Sequence, residues 1–149
     1  MKDRGELRID RAESADIPLL AELNFQLMED EAHPYPLQMP ALLERMSRWI
    51  EGEYHVLLIR RGDRIAGYAV WRLEEHGAYL RHFFICRDQR REGLGRQAMA
   101  LLRREAFPTD RPLLIEAAIW NKAAIDFWHA IGFKDFGLSM ELKAGETIK

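Results

Sequence analysis

The chain has 149 residues, 48% of them hydrophobic and 31% charged, which is enough to build one domain around a sizeable core. Its 22 Lys and Arg against 24 Asp and Glu leave a net charge of -2, which excludes a global basic field for nucleic acid and an acidic tail. The lone Cys86 excludes an internal disulfide and fits a reducing compartment. The opening "MKDRGELRID" is polar and reads as no signal peptide. No apolar run approaches the roughly 18 residues that would cross a membrane. The expectation is a soluble, cytoplasmic protein of a single domain, 1–149, with neither a membrane nor a nucleic acid as partner.

In chain order, "LRID" reads as a short first strand. "SADIPLLAELNFQLMEDE" reads as a helix that Ser14 or Asp16 can cap, with Pro18 in its first turn and Leu20, Leu23 and Leu27 on one face. "HPYP" stops it, and a second helix follows Pro40 with Leu42, Met46 and Trp49 on its stripe. "YHVLLIR" and "RIAGYAVWRLEE" are strands joined by the turn Arg61-Gly62-Asp63. "AYLRHFFI" continues an antiparallel meander after His76-Gly77. A helix runs from Gly93 to Phe107 with Leu94, Ala98, Leu101 and Leu102 inward. "PLLIEAAIW" is expected as a strand, "NKAAIDFWHAI" as a helix ended by Gly132, and "FKDFGLSMELK" as a last strand or hairpin. The order β-α-α-β-β-β-α-β-α-β predicts a mixed α/β (α+β) sheet with a strand–helix–strand unit in its second half.

Within this order "FFICRDQRREGLGRQAMALL", residues 83 to 102, stands out. A helix that starts at a glycine turn after a strand presents free N–H groups and a positive dipole end, which together favour phosphate. Gly93 and Gly95 let backbone approach an anion, and Arg87, Arg90, Arg91 and Arg96 surround the same mouth. A plain tight turn ringed by solvated arginines is the alternative. The chain lacks G-x-x-x-x-G-K-[ST], so a P-loop is excluded. "GLGRQA" fits G-x-G-x-x-[GA], but the strands before it are hairpin-connected. The acid about twenty residues on, Glu116, falls inside a strand, and too little chain follows for a doubly wound fold. The five histidines (33, 55, 76, 82, 129) show no metal-ligand spacing, so no metal is expected.

"RREGLG" at 90 to 95 resembles the [QR]-x-x-G-x-[GA] signature of the GNAT superfamily of N-acetyltransferases. "NKAAIDFWHAIGF" resembles that family's N-x-x-A-x-x-x-Y-x-x-x-G-F segment at Asn121, Ala124, Trp128, Gly132 and Phe133. Together the motifs and the element order cover essentially the whole chain. The resemblance implies a twisted, mostly antiparallel sheet with a V-shaped splay between two central parallel strands, here ending near Ile85 and Ile119. It implies acetyl-CoA as cosubstrate and direct transfer of the acetyl group to a primary amine of a small molecule or peptide in a ternary complex. A non-catalytic acyl-CoA sensor or degenerate subunit of the same fold is the alternative, and the protein would be a monomer or homodimer. The cofactor-binding residues implied are Arg90, Arg91, Gly93, Leu94, Gly95 and Arg96 at the phosphates, Phe83, Phe84 and Ile85 along the pantetheine arm, and Asn121 and Trp128 downstream.

Acetyl transfer needs a neutral amine, yet a free amine with a pKa near 10 is mostly protonated at neutral pH, so a base or a desolvating pocket must help. The family often places an acid or histidine on the strand before the glycine turn. Here those positions are Tyr79 and Arg81, neither a conventional base. Glu31 in "MEDEAH" is a candidate base, with a solvated surface acid as the alternative reading. His33 has a suitable pKa range, and His82, on the opposite face from Arg81 by simple alternation, receives no role. Glu29, Asp30 and Glu31 suit a cationic acceptor such as a polyamine, an aminoglycoside or a lysine. Arg81, facing the cleft, suits an acceptor with a carboxylate. Where the family has a tyrosine acid, Trp128 offers an indole N–H that cannot deliver a proton. The thiolate then leaves without a dedicated tyrosine acid, or draws a proton through Tyr79 or water.

Overall fold

The computed structural model describes residues 5–149 and divides at Ala118 and Ile119 into two units, the larger holding the whole sheet. Strand β1 (Leu7–Arg11) pairs antiparallel with β2 (His55–Arg61), β2 with β3 (Arg64–Leu73) and β3 with β4 (Ala78–Ile85). A short β5 (Leu113–Leu114) then runs parallel to β4, giving the order β1-β2-β3-β4-β5. The fold is therefore the mixed sheet that the element order implied. No helix among the described residues is long and apolar enough to cross a membrane.

Helices α1 (Ile17–Asp30) and α2 (Met39–Glu51) form as their stripes require. Asp16 accepts from the Glu13 amide at 2.8 Å in a capping box one turn ahead of α1, and Pro18 and Pro40 stand in the first turns. Leu20, Leu23 and Leu27 pack with Met46, Trp49, Leu58, Tyr68, Val70 and Phe84 in the main core, while Leu42 joins Ala21 and Met28 in a smaller cluster. Helix α3 (Leu94–Glu105) buries Leu94, Ala98, Met99, Leu101 and Leu102. β3 and β4 approach so closely at Gly67 that a Cβ there would stand 2.0 Å from the Phe84 carbonyl oxygen.

Two expected elements differ. "PLLIEAAIW" holds a ladder only at Leu113 and Leu114, so β5 ends well short of Ile119. The cause lies in β4, whose pairing with β3 skips from Val70↔His82 to Trp71↔Leu80 and leaves Arg81 as an extra residue. Such a bulge bends its strand and increases the local twist, and β5 parts from β4 just before it. "FKDFGLSMELK" carries a period-two pattern, but no strand forms there. Phe136, Leu138, Met140 and Leu142 are exposed, and a strand pattern without a paired neighbour does not make a sheet. The second unit contains α4 (Lys122–Ala130), which ends where Gly132 takes a φ of 114°.

Candidate active site

The turn between β4 and α3 is built from left-handed backbone. Gly93 (φ 73°, ψ 13°) is the residue before α3, and Arg91 shares the conformation at φ 67°. No side chain caps the start of α3, so its first-turn N–H groups and dipole face outward behind a residue with no Cβ. β4 enters this turn with a strand neighbour on the β5 side only at Ala78 and Tyr79. The Cys86 amide donates to the Ala66 carbonyl on β3 at 2.7 Å. By antiparallel alternation this turns the backbone of Phe84 toward β3 and that of Phe83 and Ile85 toward the open side.

The arginines divide into those that anchor the turn and those exposed at its mouth. Arg90 donates through Nε to the Ile85 carbonyl at 2.8 Å and through Nη2 to Asp30 at 2.7 Å, and lies 5.0 Å from the Phe84 ring centre. Arg87 donates to the other Asp30 oxygen at 2.8 Å. Glu92 accepts from Arg61 at 2.6 Å, which holds the turn from the β2 side. Asp30 thus faces the turn as its anchor. Burial pushes its carboxyl up, but the hydrogen bonds from Arg90 and Arg87 outweigh that and hold it below its ordinary value. Arg91 and Arg96 are exposed at the mouth of the turn.

On the other side, Glu31 caps the C-terminus of α1 and is half-buried. Burial, reinforced by the Asp30 charge, raises its carboxyl above the ordinary range. Tyr79 on β4 is also raised, by burial first and then by Glu116. His33 is exposed, and its Nδ1 accepts from the Tyr35 amide at 3.0 Å, a local turn contact. The Cys86 thiol is buried, and that burial, with the Asp88 charge, pushes it up to about 11.

Alternation along β4 fails at its bulge, and Arg81 and His82 both reach Trp49. The Arg81 guanidinium lies 5.0 Å from the indole centre and donates to the Tyr54 hydroxyl at 3.0 Å. The His82 ring meets the same indole edge-on at 5.1 Å and pairs through Nδ1 with the Tyr68 hydroxyl at 3.0 Å. Burial, then the Arg45 and Arg81 charges, push His82 down to about 3, so it stays neutral. Arg45 crosses from α2 with its guanidinium 5.1 Å from the same indole, and it makes a long 3.5 Å hydrogen bond to Asn24 Oδ1. Sequence reasoning missed Asn24, Arg45, Tyr54, Tyr68 and His82. Only two signals were available: a polar Asn24 inside an apolar helical stripe and Arg45 one turn before Trp49.

The model of the acetyltransferase (GNAT) family matches residues 21–133. The chain belongs to the GNAT family. Solved structures agree at the level of fold. A possible acetyltransferase from Clostridium difficile 630 superposes with a TM-score of 0.75 at 14% identity, over 96% of this chain and 99% of that one. An acetyltransferase from Thermus thermophilus gives 0.72 at 23% identity over 89% of each chain. An aminoglycoside N-acetyltransferase in complex with CoA gives 0.74 at 13% identity over 97% and 99%. No curated protein matches the chain in sequence.

In this GNAT chain the downstream motif forms a local structure of its own. The Asn121 side chain accepts from the Ala124 amide at 3.2 Å and caps α4. The Trp128 ring packs edge-on against Phe127 and Phe133, at 4.9 and 5.2 Å between ring centres.

Proposed function

We propose that this protein transfers the acetyl group of acetyl-CoA directly to a primary amine while both are bound. The observation that carries the reading is the uncapped start of α3 behind left-handed Gly93, set immediately after a strand whose β5-side edge opens beyond Tyr79. A pyrophosphate needs N–H donors without a side chain in the way, and the amides of a pantetheine arm need an open strand edge. The turn supplies the first through Gly93, Leu94, Gly95 and Arg96, with Arg91 at its rim, and Phe83 and Ile85 supply the second. Arg90 supports the turn by bridging Ile85 to Asp30. Asn121 orders the helix of the second motif, and Trp128 packs within that unit.

Glu31 serves as base. Its raised pKa makes it a better proton acceptor than an ordinary surface acid. It takes the proton from the acceptor ammonium, the free amine nitrogen bonds to the thioester carbonyl carbon, and the C–S bond breaks. The thiolate, with a thiol pKa near 8.5, leaves without a strong acid and takes up the second proton, which the nitrogen sheds as the amide forms, through water or Tyr79. Gly95→Asp tests the site by placing a carboxylate at the first turn of α3. In isothermal titration the wild type is expected to bind acetyl-CoA and the variant to lose it, with an unchanged circular dichroism spectrum. Retained affinity in the variant refutes the assignment. Binding without thiol release across an amine panel would favour the sensor reading.

A further inference from the structure

Around Trp49 stands a cationic group that acetyl transfer as such does not need. Arg45 from α2 and Arg81 from the β4 bulge lie against one indole, that of Trp49, and the Tyr54 ring is within 5.7 Å of the Arg81 guanidinium. Among the described residues no carboxylate forms an ion pair with either arginine. Arg72, by contrast, is paired with Glu53 and Glu74, Arg87 with Asp30 and Glu29, and Arg90 with Asp30. Desolvation, and then the Arg81 charge, lower the pKa of the half-buried Arg45, the behaviour of like charges brought together without a counter-ion.

The Asn24 amide supplies the second observation. Asn24 is 1% exposed, its Oδ1 faces Arg45, and its Nδ2 has no hydrogen-bond partner. A buried donor left unmet is destabilising unless something else meets it, and each such group calls for a reason. The groups collected here are donors: two guanidinium forks and one amide, walled by two aromatic rings. Their complement is a planar anion with two acceptor oxygens, which is a carboxylate. Glu31 and Arg45 act on the Tyr68 hydroxyl in opposite senses, the first raising its pKa and the second lowering it. That separation of charge is the mirror image of a zwitterion.

We propose that Arg45, Arg81 and the Asn24 amide hold the carboxylate of the acceptor, so that the amine acetylated here belongs to an amino acid. The inference rests on the acetyltransferase reading above, and it narrows the acceptor away from polyamines and aminoglycosides, which two unneutralised arginines would repel.

The test uses the wild-type chain and thiol release from acetyl-CoA. Each L-amino acid is compared with its own carboxamide, and spermidine serves as the polycation. The best acid is expected to exceed its amide by about tenfold to a hundredfold in kcat/KM, the span of one or two charged hydrogen bonds. Arg81→Gln, at an exposed position, should raise KM for that acid by a similar factor without moving KM for acetyl-CoA, and Arg81→Lys should recover part of the loss. Acids turned over no better than their amides, no acid turned over at all, or spermidine preferred to both would overturn the proposal. So would an Arg81→Gln variant whose KM rises for acetyl-CoA instead, since the pair would then read the cosubstrate. A protein that fails to bind acetyl-CoA would remove the acetyltransferase reading itself, so the two failures are told apart by one titration.

Discussion

Asp30→Asn removes one charge and loosens two anchors. The carboxylate receives Arg87 at 2.8 Å and Arg90 at 2.7 Å, and through Arg90 it is tied to the Ile85 carbonyl at the end of β4. The three side chains are 30% (Asp30), 48% (Arg87) and 39% (Arg90) exposed, so solvent screens both pairs. The Asp30–Arg90 pair, partly exposed, contributes about 0.2–1 kcal/mol, which sets the scale of the loss. For a chain of this length that is a fall of up to about 4 °C in Tm. The sign of the pH dependence follows from the lowered carboxyl. A depressed acid contributes stability above its unfolded value and loses it as pH falls through the folded one. The gap between wild type and Asp30→Asn in urea unfolding should therefore be full at neutral pH and close in acid, below the ordinary value of 3.8. Because the anchor orders the glycine turn, KM for acetyl-CoA should rise by up to about tenfold. Equal stability at neutral pH, or a gap that persists once Asp30 is protonated, refutes the account of the turn.

Glu31→Gln should lower kcat by about tenfold to a thousandfold, as loss of a general base does. In the wild type the acid limb of the pH–rate profile should rise with pH through a value above the ordinary 4.5, and that limb should vanish in the variant. A wild-type rate in Glu31→Gln would return the residue to a helix-capping role. Trp128→Phe keeps the packing against Phe127 and Phe133, so turnover and acetyl-CoA affinity should both stay near wild type. Reduced turnover at unchanged affinity would assign the indole N–H a part in thiolate release.

The helices were legible because their signals are local. Leu20, Leu23 and Leu27 repeat at the helical period, and each contributes to a face that any packing of α1 must bury. The β2–β3 turn was equally plain, since Gly62 at a φ of 60° adopts the left-handed backbone that suits glycine. β5 was overread because an apolar run reports burial but not a neighbour to pair with, and β4 turns away after Tyr79. The bulge at Arg81 left no trace in residue type, so strict alternation put Arg81 and His82 on opposite faces. For the same reason the candidate site was half visible. The glycine turn is a contiguous motif, whereas Asn24, Arg45 and Tyr54 meet only once α1, α2 and β2 have folded over β4. Arg90 shows the converse: the motif marked it as a phosphate ligand, and only the tertiary partner Asp30 reveals that it holds the turn together.

The state of Cys86 bears on how an acetyl group can be held between reactants. It is the one thiol in the sequence, 9% exposed, and its environment keeps it protonated far above neutral pH. A thiol in that condition is a poor nucleophile, so it cannot store the acetyl group as a thioester between one substrate and the next. A protein that transfers acetyl groups under this constraint does not hold them on a cysteine between one donor and the next. The same burial shields the Cys86 sulfur from electrophiles and peroxides.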